Sequence, residues 1–411
     1  MRVLLLVETL SVGGLPNYVL DLARALRHAG DTVALAHLGA EVPGHLDVAD
    51  VELLAARPRS EASDPLAVLL RNWQPDIVHV HLCSEPHALQ TLLAAGIPTV
   101  RSYHDYTSIC LRRGRRRFPG DRCQRALGLS CAFFGCLIGP PVADGRFVSL
   151  ADLPAKLNER GIYQSFSASI VGSEHMRRVL LKNGFADQRL NMVPYFSRFH
   201  AQAEGLAAMP EKPAGRAGVD RPFHMLFSGQ AVAGKGLRVL VQALAGVHGQ
   251  WRLVAVTSGP ELAGVQALAI QLGLQDRITF VGWLPQEALA GHYRHADLLV
   301  LPSVWDDPGP LVGIEAMSFE TPVVAFPVGG IPDYVIDQQT GWLAETVSVP
   351  ALSAALQRAM RDPDLIIERG RASRALIAAR HTRAAHVDAV RRIYQRVAHP
   401  LPSSVVTQEC T

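Results

Sequence analysis

Two acidic residues at a fixed spacing mark the stretch of this chain that could do chemistry. Seven residues separate Asp307 from Glu315, and Pro308, Gly309 and Pro310 follow the first of the two. These three residues force an irregular backbone, which predicts a loop around Asp307. Apolar residues at helical spacing come next and predict a helix that carries Glu315. Ionised carboxylates accept strong hydrogen bonds from sugar or ribose hydroxyls, and the N-terminus of the helix suits a phosphate.

A strand and a glycine turn follow the predicted helix. Thr321-Pro322 ends the helix, the run Val-Val-Ala-Phe at 323–326 is typical of a buried parallel strand, and Gly329-Gly330 follows that strand. Open α/β sheets bind ligands beyond the carboxyl ends of their strands. We therefore expect the loop carboxylate, the helix N-terminus and the helix carboxylate to converge on one crevice.

The same stretch resembles the acidic signature of family 4 of the retaining glycosyltransferases, which have the GT-B fold. The residues that carry the resemblance are Asp307, Glu315-Ala316-Met317, Pro322-Val323-Val324 and Gly329-Gly330. The family usually has Glu at the first acidic position, so Asp307 is one methylene shorter. The resemblance extends over nearly the whole chain. It implies an α/β fold of two doubly wound, Rossmann-like domains that face each other across a cleft.

Length and composition agree with a two-domain cytosolic protein. A chain of 411 residues is too long for one ordinary core. Its net charge of +3 gives no sign of nucleic-acid binding. The sequence has no apolar run of about 18 residues that would span a membrane. We expect a cytoplasmic protein with mostly reduced cysteines, and peripheral contact with the cytoplasmic face of the membrane is an open alternative. The predicted divisions are an acceptor-side domain at 1–200, a linker at 201–221, a nucleotide-sugar-binding domain at 222–380, and a segment at 381–411 whose helix packs back on the first domain.

A glycine loop after the first predicted strand points to the cleft. The strand covers 2–7, and Gly13 and Gly14 precede a helix. Strand, glycine loop and helix form half of a doubly wound domain. The loop lacks the Gly-x-Gly-x-x-Gly fingerprint, so a nicotinamide or flavin cofactor is not supported. In the family the Gly-Gly loop lies over the donor diphosphate, although a plain tight turn would need similar glycines.

Three histidines lie at the ends of predicted strands in the first half. Alternation along the strand near 77–81 places His79 and His81 on one face. We expect His79 in the core, whereas His81 is nearer to the carboxyl end of the strand and could approach the site. His104 follows a strand at 99–103, where the family has a histidine that contacts the donor sugar. His104 is expected either to make that contact or to support a residue that does.

Cysteines and arginines crowd an unusual insert at 110–136. Its four thiols could bind a structural zinc ion or an iron–sulfur cluster, but they contain no Cys-x-x-Cys pair, and free or transiently oxidised thiols are the alternative. The arginines could contact an anionic acceptor, such as a lipid diphosphate, or a membrane surface, or they could form a solvated basic loop. The residues concerned are Cys110, Cys123, Cys131 and Cys136, with Arg112, Arg113, Arg115, Arg116, Arg117, Arg122 and Arg125.

The second half opens with a loop that suits phosphate. The sequence from Gly229 to Gly236 nearly spells a P-loop, but Gly236 replaces the Ser or Thr that would hold magnesium. The loop also resembles the phosphate loop of the family, in which Lys235 matches the lysine and Gln230 stands where an arginine is usual. Lys235 can neutralise a leaving diphosphate. Because Gln230 carries no charge, further stabilisation must come from helix N-termini or another cation.

The resemblance also implies the reaction and a role for each site residue. Glu315 would hold the ribose hydroxyls of a UDP- or GDP-sugar, Lys235 its diphosphate and Asp307 its sugar hydroxyls. A front-face reaction with retention would transfer the sugar to a sugar or lipid-linked hydroxyl acceptor in polysaccharide or glycolipid synthesis. The predicted cleft loops contain no magnesium-binding Asp-x-Asp, so we expect transfer without a required metal cofactor. Further donor-binding positions would be Gly309, Pro310, Leu311 and Val312 and, beside the base, Gly282 and Trp283.

Three other functions fit parts of the sequence. A P-loop nucleotide triphosphatase would need a hydroxyl at position 236. A family member that binds a nucleotide sugar without transferring it would explain Gln230. A metal-binding interaction module could be built on the four clustered cysteines.

Overall fold

Two parallel sheets form the framework of the molecule. The computed structural model describes residues 1–10, 14–39, 46, 48, 50–56, 64–116, 122–139, 149–205, 207–209, 212–213, 217 and 219–399. The strands of the described residues are β1 (Arg2–Val7), β2 (Thr32–His37), β3 (Glu52–Ala55), β4 (Ile77–Val80), β5 (Thr99–Tyr103), β6 (Ile138–Gly139), β7 (Ser149–Leu150), β8 (Ala168–Val171), β9 (Leu190–Met192), β10 (Phe223–Ser228), β11 (Trp251–Val256), β12 (Ile278–Val281), β13 (Leu298–Leu301), β14 (Val323–Ala325) and β15 (Gly341–Leu343).

Helices connect the strands and cover the sheets. Many helices begin with Pro, Ser, Thr or Asp, the residue types that favour a helix N-terminus. Asp64, which caps α2, is an example, because its side chain accepts a hydrogen bond from the amide of Ala67. The α-helices of the described residues are α1 (Gly14–His28), α2 (Pro65–Trp73), α3 (Pro86–Ala95), α4 (Ser130–Phe133), α5 (Leu153–Ser165), α6 (Glu174–Lys182), α7 (His200–Ala203), α8 (Leu237–Leu244), α9 (Leu262–Gln271), α10 (Gln286–His295), α11 (Leu311–Ser318), α12 (Val349–Met360), α13 (Pro363–Arg380) and α14 (Arg383–Ala398).

The strand order confirms the predicted pair of doubly wound domains. The first sheet has the order β3-β2-β1-β4-β5-β8-β9 and the second the order β12-β11-β10-β13-β14-β15. All strand pairs within these two sheets are parallel. The central strands are buried on both faces, which explains their continuous apolar runs. In each sheet the order reverses beside the first strand, and ligands bind at such switch points.

The strands that the sequence does not predict are short or marginal. β3 is a four-residue edge strand that is only partly buried, and β15 is a three-residue edge strand. Neither contains the long apolar run that predicts a central strand. The predicted linker at 201–221 includes most of the short helix α7 and an isolated bridge between Ala217 and Arg221, and several of its residues lie outside the described part of the chain.

Close backbone contacts fix the loop between β13 and α11, which we call the acidic loop (302–310). Gly236 has φ +72°, and a Cβ there would lie 1.8 Å from the carbonyl oxygen of Pro302. Gly329 has φ +56°, and a Cβ there would lie 1.9 Å from the carbonyl oxygen of Asp307. No side chain fits at either position, and L-residues disfavour this backbone conformation. The phosphate loop and the glycine turn therefore hold the acidic loop from both ends.

The last helix joins the second domain to the first through a buried polar cluster. In α14, the hydroxyl of Tyr394 lies 2.6 Å from Nδ1 of His79 in β4. His386 in α14 donates from Nδ1 to the carbonyl oxygen of Pro194 at 2.8 Å, and its Nε2 lies 2.9 Å from the hydroxyl of Tyr18 in α1. A carbonyl only accepts, so Nδ1 of His386 carries a proton, and in the neutral ring Nε2 accepts from Tyr18. His79 is thus a core histidine with partners at both nitrogens, as predicted.

Two further histidines extend this cluster towards the cleft. His81 Nδ1 lies 3.0 Å from His104 Nε2, and His104 Nδ1 lies 3.0 Å from the hydroxyl of Tyr195. Tyr195 in turn donates to the carbonyl oxygen of Tyr103 at 3.4 Å. All of these contacts can be hydrogen bonds between neutral rings if His81 donates to His104 and His104 donates to Tyr195.

Protonation of this cluster should unfold the protein at mildly acidic pH. Burial, followed by neighbouring positive groups, lowers the pKa of His104 to about 3, and burial lowers that of His386 to about 4. Burial also lowers the pKa of His79 and His81 well below the usual value. The unfolded chain therefore binds protons below pH 6.5 that the folded chain does not bind. We expect each histidine to reduce the free energy of unfolding by about 1.4 kcal/mol per pH unit between pH 6 and pH 5.

Urea unfolding of wild type and of His386→Gln across this pH range measures the effect. The variant should show a shallower pH dependence, by about the contribution of one histidine. His248→Gln, at an exposed position, is the matched control and should leave the pH dependence unchanged. An unchanged slope in His386→Gln would contradict the account of the cluster.

The described helices include none that is long and apolar enough to cross a membrane.

Candidate functional site

The two predicted charged residues of the cleft lie in direct contact. Lys235 Nζ is 2.5 Å from Asp307 Oδ2 in an ion pair between the phosphate loop and the acidic loop. The Asp307 side chain is 11% exposed and that of Lys235 is 28% exposed. The contact follows from the loop packing, because the amide of Val304 donates to the carbonyl oxygen of Gly234 at 2.9 Å. The structure thus brings a cation and a carboxylate together at the switch point between β10 and β13.

Glu315 lies one turn into α11, as the sequence predicts, and is 1% exposed. Arg198 Nε donates to its Oε1 at 2.7 Å, and the hydroxyl of Tyr293 donates to its Oε2 at 2.6 Å. The Glu315 carboxylate raises the pKa of Arg198, and burial together with Glu315 raises the pKa of Tyr293 well above its usual value. Arg198 comes from the segment after β9, so both domains contribute to the setting of this carboxylate.

Two helix N-termini meet at the cleft. A Cβ on Gly14, the first residue of α1, would lie 3.7 Å from the side chain of Leu311, the first residue of α11. Neither first turn carries an acidic residue, so both N-termini retain their attraction for an anion. A small pocket between them is lined by Asn17 and Asp21 of α1 and by Glu315. Gly13, the other predicted glycine, lies outside the described residues.

The remaining residues of the acidic loop are held by aromatic hydroxyls and rings. A Cβ on Gly309 would lie 2.8 Å from the ring of Tyr195. The carbonyl oxygen of Pro310 accepts from the hydroxyl of Tyr334 at 3.0 Å. Pro310 precedes the first turn of α11, which contains Leu311 and Val312, both partly exposed. The four predicted donor-binding positions, two at the end of the acidic loop and two in the first turn of α11, therefore lie side by side at one edge of the cleft.

His104 is a neutral residue whose two ring nitrogens already have protein partners. It is partly exposed between His81 and Tyr195, as described above. A ligand hydroxyl could bond to the ring only by replacing one of these partners. Asp105 does not orient His104 through a hydrogen bond given by the structure, but accepts from the amide of Thr107 at 3.0 Å and caps the next turn.

Other predicted donor-binding residues lie at the same edge of the second sheet. Gln230 is exposed directly after β10. Gly282 and Trp283 follow β12, and Trp283 is 62% exposed. Parallel strands present their carboxyl ends at one edge, so all three positions border the cleft side of this domain.

The four cysteines of the insert are free thiols. Burial raises the pKa of Cys136, and the neighbouring thiols of Cys131, Cys110 and Cys123 add to the increase. The thiols are therefore close enough to interact. Nevertheless, across the described residues no three His, Cys, Asp or Glu side chains are grouped so as to hold a metal ion. The zinc or iron–sulfur site at these four positions stays a prediction, without a preformed ligand set.

Two arginines of the insert are bound to other parts of the protein, which disagrees with the alternative of a solvated basic loop for these two residues. Arg115 is 4% exposed, and its guanidinium donates to the carbonyl oxygen of Arg125 at 3.3 Å. Arg122 forms an ion pair with Asp306, whose side chain is 4% exposed. The insert thus reaches across the cleft to the acidic loop. Arg113 and Arg125 are exposed, and Arg117 lies outside the described residues.

Part of the insert and the paired strands β6 and β7 expose apolar side chains. Four large apolar residues there are more than half exposed: Leu129, Phe133, Ile138 and Leu150. Peripheral membrane contact through this surface stays a prediction.

Several site residues escape prediction from the sequence. Arg198, Tyr293 and Arg122 each bind a carboxylate of the cleft. Arg198 and Arg122 act on partners 117 and 184 residues away in the chain. Tyr293 acts on a partner 22 residues away, outside any motif that contains both residues. Two signals are present in the sequence: Arg122 is one of the arginines of the insert, and the uncharged Gln230 implies another cation at the site.

Comparisons with known proteins agree with this geometry. A family model described as Glycosyltransferase Family 4 matches residues 12–196, and a model described as Glycosyl transferases group 1 matches residues 210–375. The structure is similar to that of Anabaena Alr3699/HepE in complex with UDP and glucose, with a TM-score of 0.68, 16% sequence identity and coverage of 95% of this chain and 98% of that chain. At this identity the likeness shows the fold alone.

Relatives of known activity are glycosyltransferases. An alpha-D-kanosaminyltransferase of Streptomyces kanamyceticus is 25% identical over 255 residues, which are 61% of this chain and 66%, just under two thirds, of that protein. A D-inositol 3-phosphate glycosyltransferase of Arthrobacter sp. (strain FB24) is 26% identical over 392 residues, which are 88% of this chain and 85% of that protein. With one family model on each domain and relatives of this kind, the chain belongs to family 4 of the glycosyltransferases, with the GT-B fold.

Proposed function

We propose that this protein transfers a sugar from a UDP- or GDP-sugar to a hydroxyl acceptor, with retention at the anomeric carbon. The observation that carries the proposal is the convergence of Lys235, Asp307 and Glu315 at the switch point of the second sheet, beside the N-terminus of α11. A nucleoside diphosphate sugar presents two anionic phosphates, ribose hydroxyls and sugar hydroxyls. The site offers a cation and a helix N-terminus for the phosphates, and carboxylates for the ribose and sugar hydroxyls.

Glu315 would hold the ribose. Its two oxygens are fixed by Arg198 and Tyr293, so the carboxylate is presented in one orientation. Each carboxylate oxygen has a second lone pair, and a ribose hydroxyl can donate to it without displacing the first partner. This arrangement avoids part of the ordering cost of binding.

Lys235 and Asp307 would separate when the donor binds. In the structure each neutralises the other. A diphosphate would attract Lys235, and the freed carboxylate of Asp307 could accept from hydroxyls of the transferred sugar. The shorter side chain of Asp307, compared with the Glu usual in the family, fits its close contact with Lys235.

The chemical step is a front-face displacement. The bond between the anomeric carbon and the leaving phosphate oxygen breaks, the bond from the acceptor oxygen to that carbon forms, and the acceptor proton passes to the leaving phosphate oxygen. The protein supplies position and charge stabilisation for this step. His104, neutral and held by His81 and Tyr195, would support the donor sugar from the first domain by exchanging one of these bonds.

The acceptor would bind on the side of the first domain. A cavity there lies between α3, α5 and the insert, and it is lined by Leu89, Leu111, Arg113 and Ile162 among others. The name of the Arthrobacter relative, a D-inositol 3-phosphate glycosyltransferase, favours a hydroxyl-rich acceptor. A sugar or lipid-linked sugar in polysaccharide or glycolipid synthesis fits this chemistry, and UDP in the similar HepE structure favours a UDP-sugar.

Two alternatives lose support from the geometry. A P-loop triphosphatase needs a hydroxyl residue at 236, but a side chain there would collide with the carbonyl oxygen of Pro302. A module built on the cysteines lacks a metal-holding group within the part of the chain that the structure describes. A member that binds without transferring would have the same cleft, and only a turnover measurement separates it from the transferase.

Lys235→Gln should lower kcat with UDP- or GDP-sugars by roughly 10²–10³-fold, the usual cost of removing one donor that stabilises charge in the transition state. Release of the nucleoside diphosphate, followed with and without a sugar acceptor, measures the rate. Lys182→Gln, at an exposed position in α6, is the matched control and should retain full activity. Full activity in Lys235→Gln would remove Lys235 from the mechanism.

Transfer should not require a divalent metal, because Lys235 and the helix N-termini are expected to neutralise the diphosphate. The measurement is the transfer rate in excess EDTA compared with the rate in added Mg²⁺ or Mn²⁺. Equal rates are expected. A rate that vanishes in EDTA and returns with the metal ion would refute this part of the proposal.

A further inference from the structure

The phosphate loop carries one cation fewer than a family member usually has. Gln230 stands at the position where an arginine is usual, and Lys235, the cation that the loop does supply, is paired with Asp307. A diphosphate brings about two negative charges into this setting. The site therefore calls for a second cation from another part of the chain.

The insert of the first domain lies close to the phosphate loop. Trp305 of the acidic loop separates the two: a Cβ on Gly234 of the phosphate loop would lie 2.4 Å from its indole, and one on Gly114 of the insert would lie 3.8 Å from it. Lys235 Nζ is 5.8 Å from the centroid of the same ring. One indole thus spans the distance from the insert to the phosphate-binding lysine.

Arg122 reaches from the insert to the acidic loop. Its guanidinium pairs with Asp306, next in the chain to the Asp307 that binds Lys235. Its Nε is buried and makes no hydrogen bond to any described residue. The side chain as a whole is 35% exposed, which leaves it able to turn. Arg122 therefore combines a spare donor, a full charge and a position beside the two carboxylates.

The charged residues of the insert and of the acidic loop surround one phenol, that of Tyr106. Burial raises the pKa of Tyr106 well above its usual value, Asp306 and Asp307 raise it further, and Arg115 and Arg122 lower it. All four charged residues are thus within interaction range of one phenol. Arg115 is itself buried and stacks near Tyr106, with 5.6 Å from its guanidinium carbon to the ring centroid. Arg115 makes its hydrogen bond within the insert, whereas Arg122 pairs with the acidic loop.

We propose that Arg122 binds the diphosphate of the donor and supplies the positive charge that Gln230 does not. The inference rests on the proposed function, because it assigns a residue to that same site. Asp306 holds Arg122 over the cleft until the donor arrives, as Asp307 holds Lys235. A guanidinium can bind two phosphate oxygens at once, so one Arg122 can stabilise both the bound donor and the leaving diphosphate. The first domain would in this way contribute a cation to the donor site.

The test is calorimetric titration of UDP and GDP into full-length variants. Arg122→Ala should weaken binding of the preferred nucleoside diphosphate by roughly tenfold or more, as expected for a lost hydrogen bond to a charged group. It should weaken UMP or GMP less, because Arg122 is assigned to the diphosphate. Arg125→Ala removes one charge from the same insert, where Arg125 stacks on Phe134 at 4.1 Å, and should bind like wild type.

Two further variants separate ligand binding from a purely structural bridge between the domains. Asp306→Asn breaks the ion pair but leaves Arg122 in place, so it should bind the diphosphate at least as tightly as wild type. Arg122→Ala/Gln230→Arg should recover the affinity that Arg122→Ala loses. Equal weakening in Asp306→Asn and Arg122→Ala, or no weakening in Arg122→Ala, would overturn the inference.

These outcomes are distinct from failure of the proposed function. If wild type binds neither nucleoside diphosphate, the proposed function itself fails and the assignment of Arg122 fails with it. If wild type binds and Arg122→Ala binds equally well, the function stands and the assignment of Arg122 alone is wrong.

Discussion

The close approach of three backbone segments is the constraint on which the site depends. Glycines at 236 and 329 lie so near the carbonyl oxygens of Pro302 and Asp307 that no Cβ fits. These contacts join the phosphate loop, the acidic loop and the glycine turn into one unit at the carboxyl ends of β10, β13 and β14. These backbone contacts place Lys235 beside Asp307. The same unit leads directly into α11, which carries Glu315. A larger residue at either glycine would move the charged groups as well as strain the backbone.

The three carboxylates of the cleft are each paired with a cation from a separate segment of the chain. Asp307 pairs within the second domain, whereas Asp306 pairs with Arg122 and Glu315 pairs with Arg198, both from the first half of the chain. Buried charges are costly unless they are paired, so these contacts explain how three carboxylates can lie together with little exposure. A ligand with phosphates and hydroxyls can replace such partners group by group. The paired charges therefore suit a site that binds a charged donor.

The sequence predicts those parts of the site that local patterns encode. Lys235, Asp307 and Glu315 belong to short motifs beside central strands, and the structure places Lys235 against Asp307 and Glu315 one turn into its helix. The arginine partners of the cleft carboxylates were not predictable as pairs, because Arg198 lies 117 residues from Glu315 and Arg122 lies 184 residues from Asp306. Such pairs follow from the tertiary arrangement alone. The same holds for β3 and β15, whose strand character comes from their position at a sheet edge rather than from an apolar run.

The central claim is that the cleft binds a nucleoside diphosphate sugar through Glu315, and thermal unfolding with a panel of UDP-, GDP- and ADP-sugars tests it most directly. A ligand that binds only the folded state stabilises it by about 2.7 kcal/mol at a hundredfold its Kd. The account predicts a raised unfolding midpoint of wild type for one class of donor and a much smaller shift in Glu315→Gln, which keeps the shape of the side chain but loses its charge. No shift with any donor, or equal shifts in wild type and Glu315→Gln, would contradict it.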